Sequence, residues 1–305
     1  MSVSTDEILF PGFELRRFAT SEATIRGRIG GDGPALLLLH GHPQTHLMWH
    51  RIAPALAEGH TVVCADLRGY GGSSKPPAGD DHTPYSKRAM ARDMVGVMEQ
   101  LGFARFAVAG HDRGGRVAYR LALDHPACVE RLAVLGIVPT YEMWRRVDKD
   151  FGLVDWHWFF LAQPAPFPER LIAAAPDEFY FRGDRSRFHE QALTDYLAAV
   201  RDPATIHAMC EDYRAGASCD DDDDRADVET GRRIGCPLHV LWADRHELGR
   251  WFDVLEVWRR WCAAEVSGRA IDCGHFLVEE APTESAAELR SFFDRARSST
   301  PTDGR

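Results

Sequence analysis

The sequence predicts an α/β protein built on a mostly parallel sheet flanked by helices and interrupted by one long helical insertion. Short apolar, β-branched runs alternate with longer segments of helical period, as strands and helices do when they take turns around a sheet. Residues 140–231 break that rhythm: they are rich in aromatics, prolines and charges and offer no convincing strand. A glycine-framed turn, Gly110 to Gly114, joins one apolar run directly to a helical one.

The strands expected in chain order are "ALLLLHG" (Ala35 to Gly41), "TVVCADL" (Thr61 to Leu67), "RFAVAG" (Arg105 to Gly110), "RLAVLGIV" (Arg131 to Val138) and "PLHVLWA" (Pro237 to Ala243). Between the second and third, Tyr85 to Gly102 carries Met90, Met94, Val97, Met98 and Leu101 on one helical stripe and ends at a glycine. "GGDG" (Gly30 to Gly33) reads as a hairpin turn. The insertion after the sixth strand is expected to lie as a helical cap, residues 140–231, over a core of residues 1–139 and 232–305. The acidic run Cys219 to Glu229 reads as a solvated loop closing that insertion, since it lacks the ligand spacing and turn glycine of a calcium loop. The final "SSTPTDGR" reads as a frayed tail.

Composition narrows the function classes. A net charge of −10 argues against a nucleic-acid partner, and no apolar run approaches the ~20 residues of a membrane span. The first residues have no basic stretch followed by an apolar segment, so a cytoplasmic location is expected. Seven scattered cysteines without a CxxC pair suggest reduced structural thiols. His40, His42, His46 and His50 match no closed zinc site, and no glycine loop fits a dinucleotide or phosphate fingerprint.

The chemistry concentrates at "GHDRG". Asp112 occupies the centre of a G-x-nucleophile-x-G turn placed after a strand and before a helix, the context in which such a turn exposes its central side chain above the sheet. Upstream, "HGHPQTHLMW" offers the His42 backbone N–H, beside that of Arg113, as an oxyanion site. Downstream, "DCGHF" offers His275 as a base. An aspartate is ionised near neutral pH and attacks without a base of its own. On an acyl carbon it would form an anhydride with no gain over serine. On a tetrahedral carbon bearing a leaving group it forms an ester that a His275-activated water can cleave, which points to organic halides or epoxides.

At these residues the chain resembles the haloacetate (fluoroacetate) dehalogenases of the α/β-hydrolase fold, relatives of epoxide hydrolases and haloalkane dehalogenases. The likeness runs through "HGHPQTHLMWH", "ADLRGYGGS", "AGHDRGGRVAYRLALDHP", "PTYEMW", "HWFFLAQPAP", "MCEDYRAGA" and "GHFLVEEAP". It implies that Arg113 and Arg116 clamp a substrate carboxylate and that His157, Trp158 and Tyr213 hold the departing halide. It also implies a short 2-haloacid as substrate, neither cofactor nor metal, and a homodimer. One departure stands out: where the resemblance places the acid that orients the base, the sequence has Gly136. Asp244, in "LWADRHELG", is the expected substitute; Asp272 is too close to His275 along the chain. Two further readings remain open. One is an epoxide hydrolase using the same nucleophile, against which the arginine pair argues; the other is a carboxylate-binding homologue impaired by Gly136.

Overall fold

In the computed structural model, which describes residues 8–183 and 185–295, eight strands form one sheet in the order β1-β2-β4-β3-β5-β6-β7-β8. They are β1 (Glu14–Ala19), β2 (Thr24–Gly30), β3 (Ala35–Leu39), β4 (Thr61–Ala65), β5 (Phe106–His111), β6 (Val129–Leu135), β7 (Leu238–Ala243) and β8 (Val266–Ile271). β1 with β2 and β2 with β4 are antiparallel, and the remaining neighbours are parallel. The five strands expected from the sequence are all present. β3, β5 and β6 run through the middle of the sheet. Leu36 to Leu39 on β3 and Leu132 to Leu135 on β6 are fully buried, the environment that makes a strand uniformly apolar.

Gly30 to Gly33 is not a hairpin turn. It links β2 to β3, and β4 lies between those two strands in the sheet. Gly31 (φ +81°) packs its Cα so closely on the His60 carbonyl that a Cβ there would stand 2.2 Å from the oxygen, which is why the connection needs glycine.

Two core helices bear on the site: α1 (Lys87–Gln100), capped by the Ser86 side chain, and α2 (Arg113–Asp124), which follows β5. Between β6 and β7 the chain runs through α3 (Thr140–Arg145), α4 (Lys149–Val154), α5 (His157–Leu161), α6 (Phe167–Ala174), α7 (Pro176–Phe181), α8 (Glu190–Val200), α9 (Pro203–Gly216) and α10 (Cys219–Thr230). No strand interrupts them among the described residues. None of the described helices is long and apolar enough to cross a membrane. All seven cysteines are free, and the C-terminal "SSTPTDGR" lies outside the described residues.

The acidic run is α10, not a solvated loop. Asp220, Asp224 and Asp227 recur at the i, i+4, i+7 spacing of one helical face, and all three are buried. They meet cations from the two core helices. The Lys87 ammonium and backbone N–H donate to Asp220 (3.3 and 2.7 Å), and Arg120 donates to Asp224 and Asp227 (2.6 Å each). The Tyr119 hydroxyl and the Tyr141 N–H complete Asp224 (2.7 and 3.2 Å). These bonds tie the insertion to α1 and α2, and they account for carboxylates that charge alone would place in water.

Asp224→Ala leaves the buried Arg120 short of a close partner and is expected to cost about 3 kcal/mol in denaturant unfolding. Asp222→Ala, on the exposed face of α10, is expected to change stability by no more than about 0.5 kcal/mol.

Candidate active site

β5 ends at His111 and α2 begins at Arg113, so Asp112 alone makes the turn between them, at φ +48° and ψ −116°. Such a conformation strains an ordinary side chain and persists only where the surroundings enforce it. Here the Asp112 N–H donates to the Leu135 carbonyl (3.0 Å) and its own carbonyl accepts from the Arg116 N–H (3.1 Å). Gly114 lets α2 start against β3: a Cβ there would lie 2.4 Å from the His40 carbonyl oxygen.

The carboxylate faces a cavity of about 270 Å³, below the range typical of drug-sized ligands and suited to a very small one. The His42 N–H donates to Asp112 Oδ2 (3.0 Å). Burial opposes ionisation of Asp112, but nearby cationic groups outweigh it and hold the group well below the usual carboxylate range: His275 and His111 where they are protonated, and the permanently charged Arg113 and Arg116 throughout. Asp112 is therefore ionised throughout the neutral range.

Of the clustered histidines, only His42 lines the cavity. His40 accepts from the Leu67 N–H (3.0 Å) and His46 pairs with Asp66 (2.8 Å), so both serve the folding of the loop.

His275 follows β8. Its carbonyl accepts from His111 Nε2 (2.8 Å), and the N–H groups on either side, Gly274 and Phe276, donate to Glu280 (2.8 and 3.3 Å). The backbone is thus fixed, whereas the ring makes no hydrogen bond among the described residues. It lies against two other imidazoles, with centroids 4.8 Å from His111 and 5.1 Å from His246. Burial and His111 push its pKa down to about 4, against the opposing pull of Asp112 and Glu280. His275 is neutral at pH 7, the state in which an imidazole can accept a proton.

Asp244 does not reach it. The Asp244 side chain is exposed beyond the end of β7, where its backbone N–H pairs with Ile271; two residues later the turn sends His246, not Asp244, to the base. Asp272 is also exposed and pairs with Arg245 (2.7 Å). Gly136, at the end of β6 with φ +73°, lines the cavity and supplies no acid.

The two arginines after the nucleophile part company. Arg116 lines the cavity, stacks over Trp158 (4.6 Å to the ring centroid), and is held by the Val138 carbonyl and the Thr140 hydroxyl through Nη1. Its buried Nε has no partner among the described residues. Arg113 does not line the cavity. It lies 4.3 Å from the Tyr213 ring centroid and forks onto Asp212 (3.0 and 2.7 Å), which also accepts from Tyr70 and Lys87. Its Nη1 is buried and likewise without a partner among the described residues.

His157, Trp158 and Tyr213 come together on the insertion side of the cavity, with ring centroids 5.7 Å (His157 to Tyr213) and 6.1 Å (Trp158 to Tyr213) apart. Burial holds Tyr213 protonated, raising its pKa well above the ordinary phenol value, and lowers His157 to about 3. Both are neutral groups able to donate. Four other lining residues, Asp155, Tyr180, His246 and Trp251, are given no role by any motif in the sequence. Asp155 is the most consequential. Burial, with Asp112 and Glu247, raises its carboxyl to about 7 against the pull of Arg116.

The alpha/beta hydrolase fold family matches residues 34–282. A fluoroacetate dehalogenase from Burkholderia sp is 47% identical over 297 residues, covering 95% of this chain and 97% of that protein. A soluble epoxide hydrolase from Corynebacterium sp. (strain C12) is 32% identical over 265 residues, 83% of this chain and 87% of the relative. A solved structure from Pseudomonas aeruginosa superposes with a TM-score of 0.89 at 49% identity, covering 95% of this chain and 98% of that one.

Asp155 gives the cavity a pH dependence. As pH rises through about 7 the group ionises and repels a carboxylate ligand, so acetate is expected to bind more weakly at pH 8 than at pH 6, by up to about 10-fold. Calorimetry checks this, and Asp155→Asn should bind acetate equally at both pH values.

Proposed function

The chain belongs to the alpha/beta hydrolase fold family, and we propose that this hydrolase displaces halide from a short 2-haloacid of the haloacetate type, giving the hydroxy acid. The observation that carries the proposal is an ionised aspartate at the turn, in a cavity that also holds a fixed guanidinium and three neutral donors. The likeness to the Burkholderia dehalogenase over nearly the whole chain supports it. In this reading residues 140–231 act as a cap that closes the site over the core.

Arg116, with a buried N–H to spare, binds the substrate carboxylate, and Arg113 adds positive potential from behind Tyr213. Oδ1 of Asp112 attacks the carbon bearing the halogen; the carbon–halogen bond breaks and the halide leaves with the electron pair toward His157, Trp158 and Tyr213. Donors to an anion contribute about 1.5–3 kcal/mol each, and fluoride, the poorest leaving group, depends on them most. Water then attacks the ester carbonyl carbon of Asp112 while His275 takes one of its protons. The oxyanion forms on Oδ2, which already accepts the His42 N–H. Collapse breaks the bond from that carbon to Oδ1, which departs in the hydroxy acid and receives the proton from His275. The carboxyl left on Asp112 ionises, releasing the water's second proton, and the enzyme returns to its starting state.

A second reading, epoxide opening by the same aspartate, draws on the epoxide hydrolase relatives and on the protonated Tyr213. A neutral epoxide has no use for Arg116 in the cavity. Halide release from chloroacetate and fluoroacetate, followed by electrode, against diol formation from styrene oxide separates the two: halide is expected and diol is not. Tyr213→Phe is expected to lower kcat/KM, which reports the steps through carbon–halogen cleavage, by about 10- to 100-fold on fluoroacetate and by less on chloroacetate. Arg116→Met is expected to raise KM for either acid.

A further inference from the structure

We infer that Gly136 makes breakdown of the Asp112 ester, not departure of halide, the slow step, so that the enzyme accumulates in carboxymethylated form during turnover. The inference rests on the dehalogenation reading and concerns how its two halves divide the time.

The first half needs nothing from His275. Asp112 is ionised without a base, and the groups that would bind the carboxylate and the halide are all in the cavity. The second half requires His275 to become an imidazolium in a buried place. Among the described residues, no carboxylate hydrogen-bonds its ring to stabilise that charge or to set which nitrogen carries the proton. The nearest rings, His111 and His246, are themselves kept neutral by burial, and Arg187 is a nearby cation. Glu280, the carboxylate that braces the loop, already accepts the Gly274 and Phe276 N–H groups and pairs with Arg187.

Asp112 sharpens the deficit. In the resting enzyme it is the strongest anion favouring a charged His275. Once it is esterified that charge is gone, so the base loses its main support at the step that needs it. Hydrolysis is then left with a weak, unsteered base. In serine proteases, where the nucleophile differs but the histidine plays the same part, loss of the orienting acid costs about 10⁴ in turnover.

Gly136 has room for a side chain beside His111, whose ring lies against that of His275. A Cβ on Gly136 would stand 3.5 Å from His111 Nε2 and from Leu277 Cδ1, ordinary contact distances. The φ of +73° is one that aspartate tolerates better than most residues.

The test is rapid mixing of the native enzyme with chloroacetate. A burst of chloride equal to the enzyme concentration is expected, followed by slower release, with intact mass spectrometry finding most of the enzyme carrying one carboxymethyl group on the Asp112 peptide. Gly136→Asp should abolish the burst and raise the steady rate by about 10² or more, within the span set by the protease comparison. Gly136→Ala, which has the same backbone strain without the carboxylate, should keep the burst. Linear chloride release with unmodified enzyme predominating overturns the inference and leaves dehalogenation standing. A burst that Gly136→Asp, folded by circular dichroism, does not shorten overturns the role of Gly136. Absence of both halide and adduct overturns the inference together with the dehalogenation reading. If Gly136→Asp does not fold, the native burst and mass decide.

Discussion

A half-buried carboxylate that must stay ionised at the edge of a cavity sets the terms for the whole site. Taking Asp112 out of water favours its neutral form, and only a concentration of positive potential reverses that. The turn between β5 and α2 supplies it. The turn places Arg113 and Arg116 at the start of the helix, with His111 before it, and His275 and the His42 N–H arrive from two other loops. The same field that keeps Asp112 charged is what any anion entering the cavity would meet.

Two buried arginines close together repel each other, and the protein resolves this by giving them different partners. Asp212, from α9 in the insertion, takes Arg113 and is itself held by Tyr70 and Lys87. Arg116 keeps only neutral oxygens and the face of Trp158, short of an ion pair, and it is the one that faces the cavity. The insertion is therefore more than a roof. It neutralises one cation through Asp212, locks onto α1 and α2 through Asp220, Asp224 and Asp227, and delivers His157, Trp158 and Tyr213 to the remaining charge.

Much of this is legible in the sequence, and the exceptions share a cause. Strands β3 to β7 announce themselves because the sheet buries both their faces. β1 is exposed at five of six positions and β8 is nearly all half-exposed, so neither carries an apolar run. Asp112, His275 and the trio His157, Trp158 and Tyr213 are visible because a turn motif or a family likeness marks them locally. The acidic helix is not, because its partners Lys87, Arg88 and Arg120 lie 104 to 135 residues away in the chain, and an isolated run of aspartates looks like solvent-exposed charge. The division between Arg113 and Arg116 is hidden for the same reason, since Asp212 is 99 residues from Arg113. Asp244 is a reasonable acid by position along the chain, but the turn after β7 decides that His246 faces the base instead. Asp155 stands two residues before His157 in the same segment, but nothing in the sequence marks a role for it; its carboxyl matters because packing leaves it in the cavity beside Arg116.

The central claim is that an oxygen of Asp112 bonds to the substrate carbon before water enters. A single turnover in heavy-oxygen water, with enzyme in excess over haloacetate, tests it most directly. The account predicts that the label appears in the Asp112 side chain and that the first hydroxy acid released carries none. Label found at once in the product hydroxyl, with Asp112 unlabelled, would mean that water attacks the substrate itself and would contradict it.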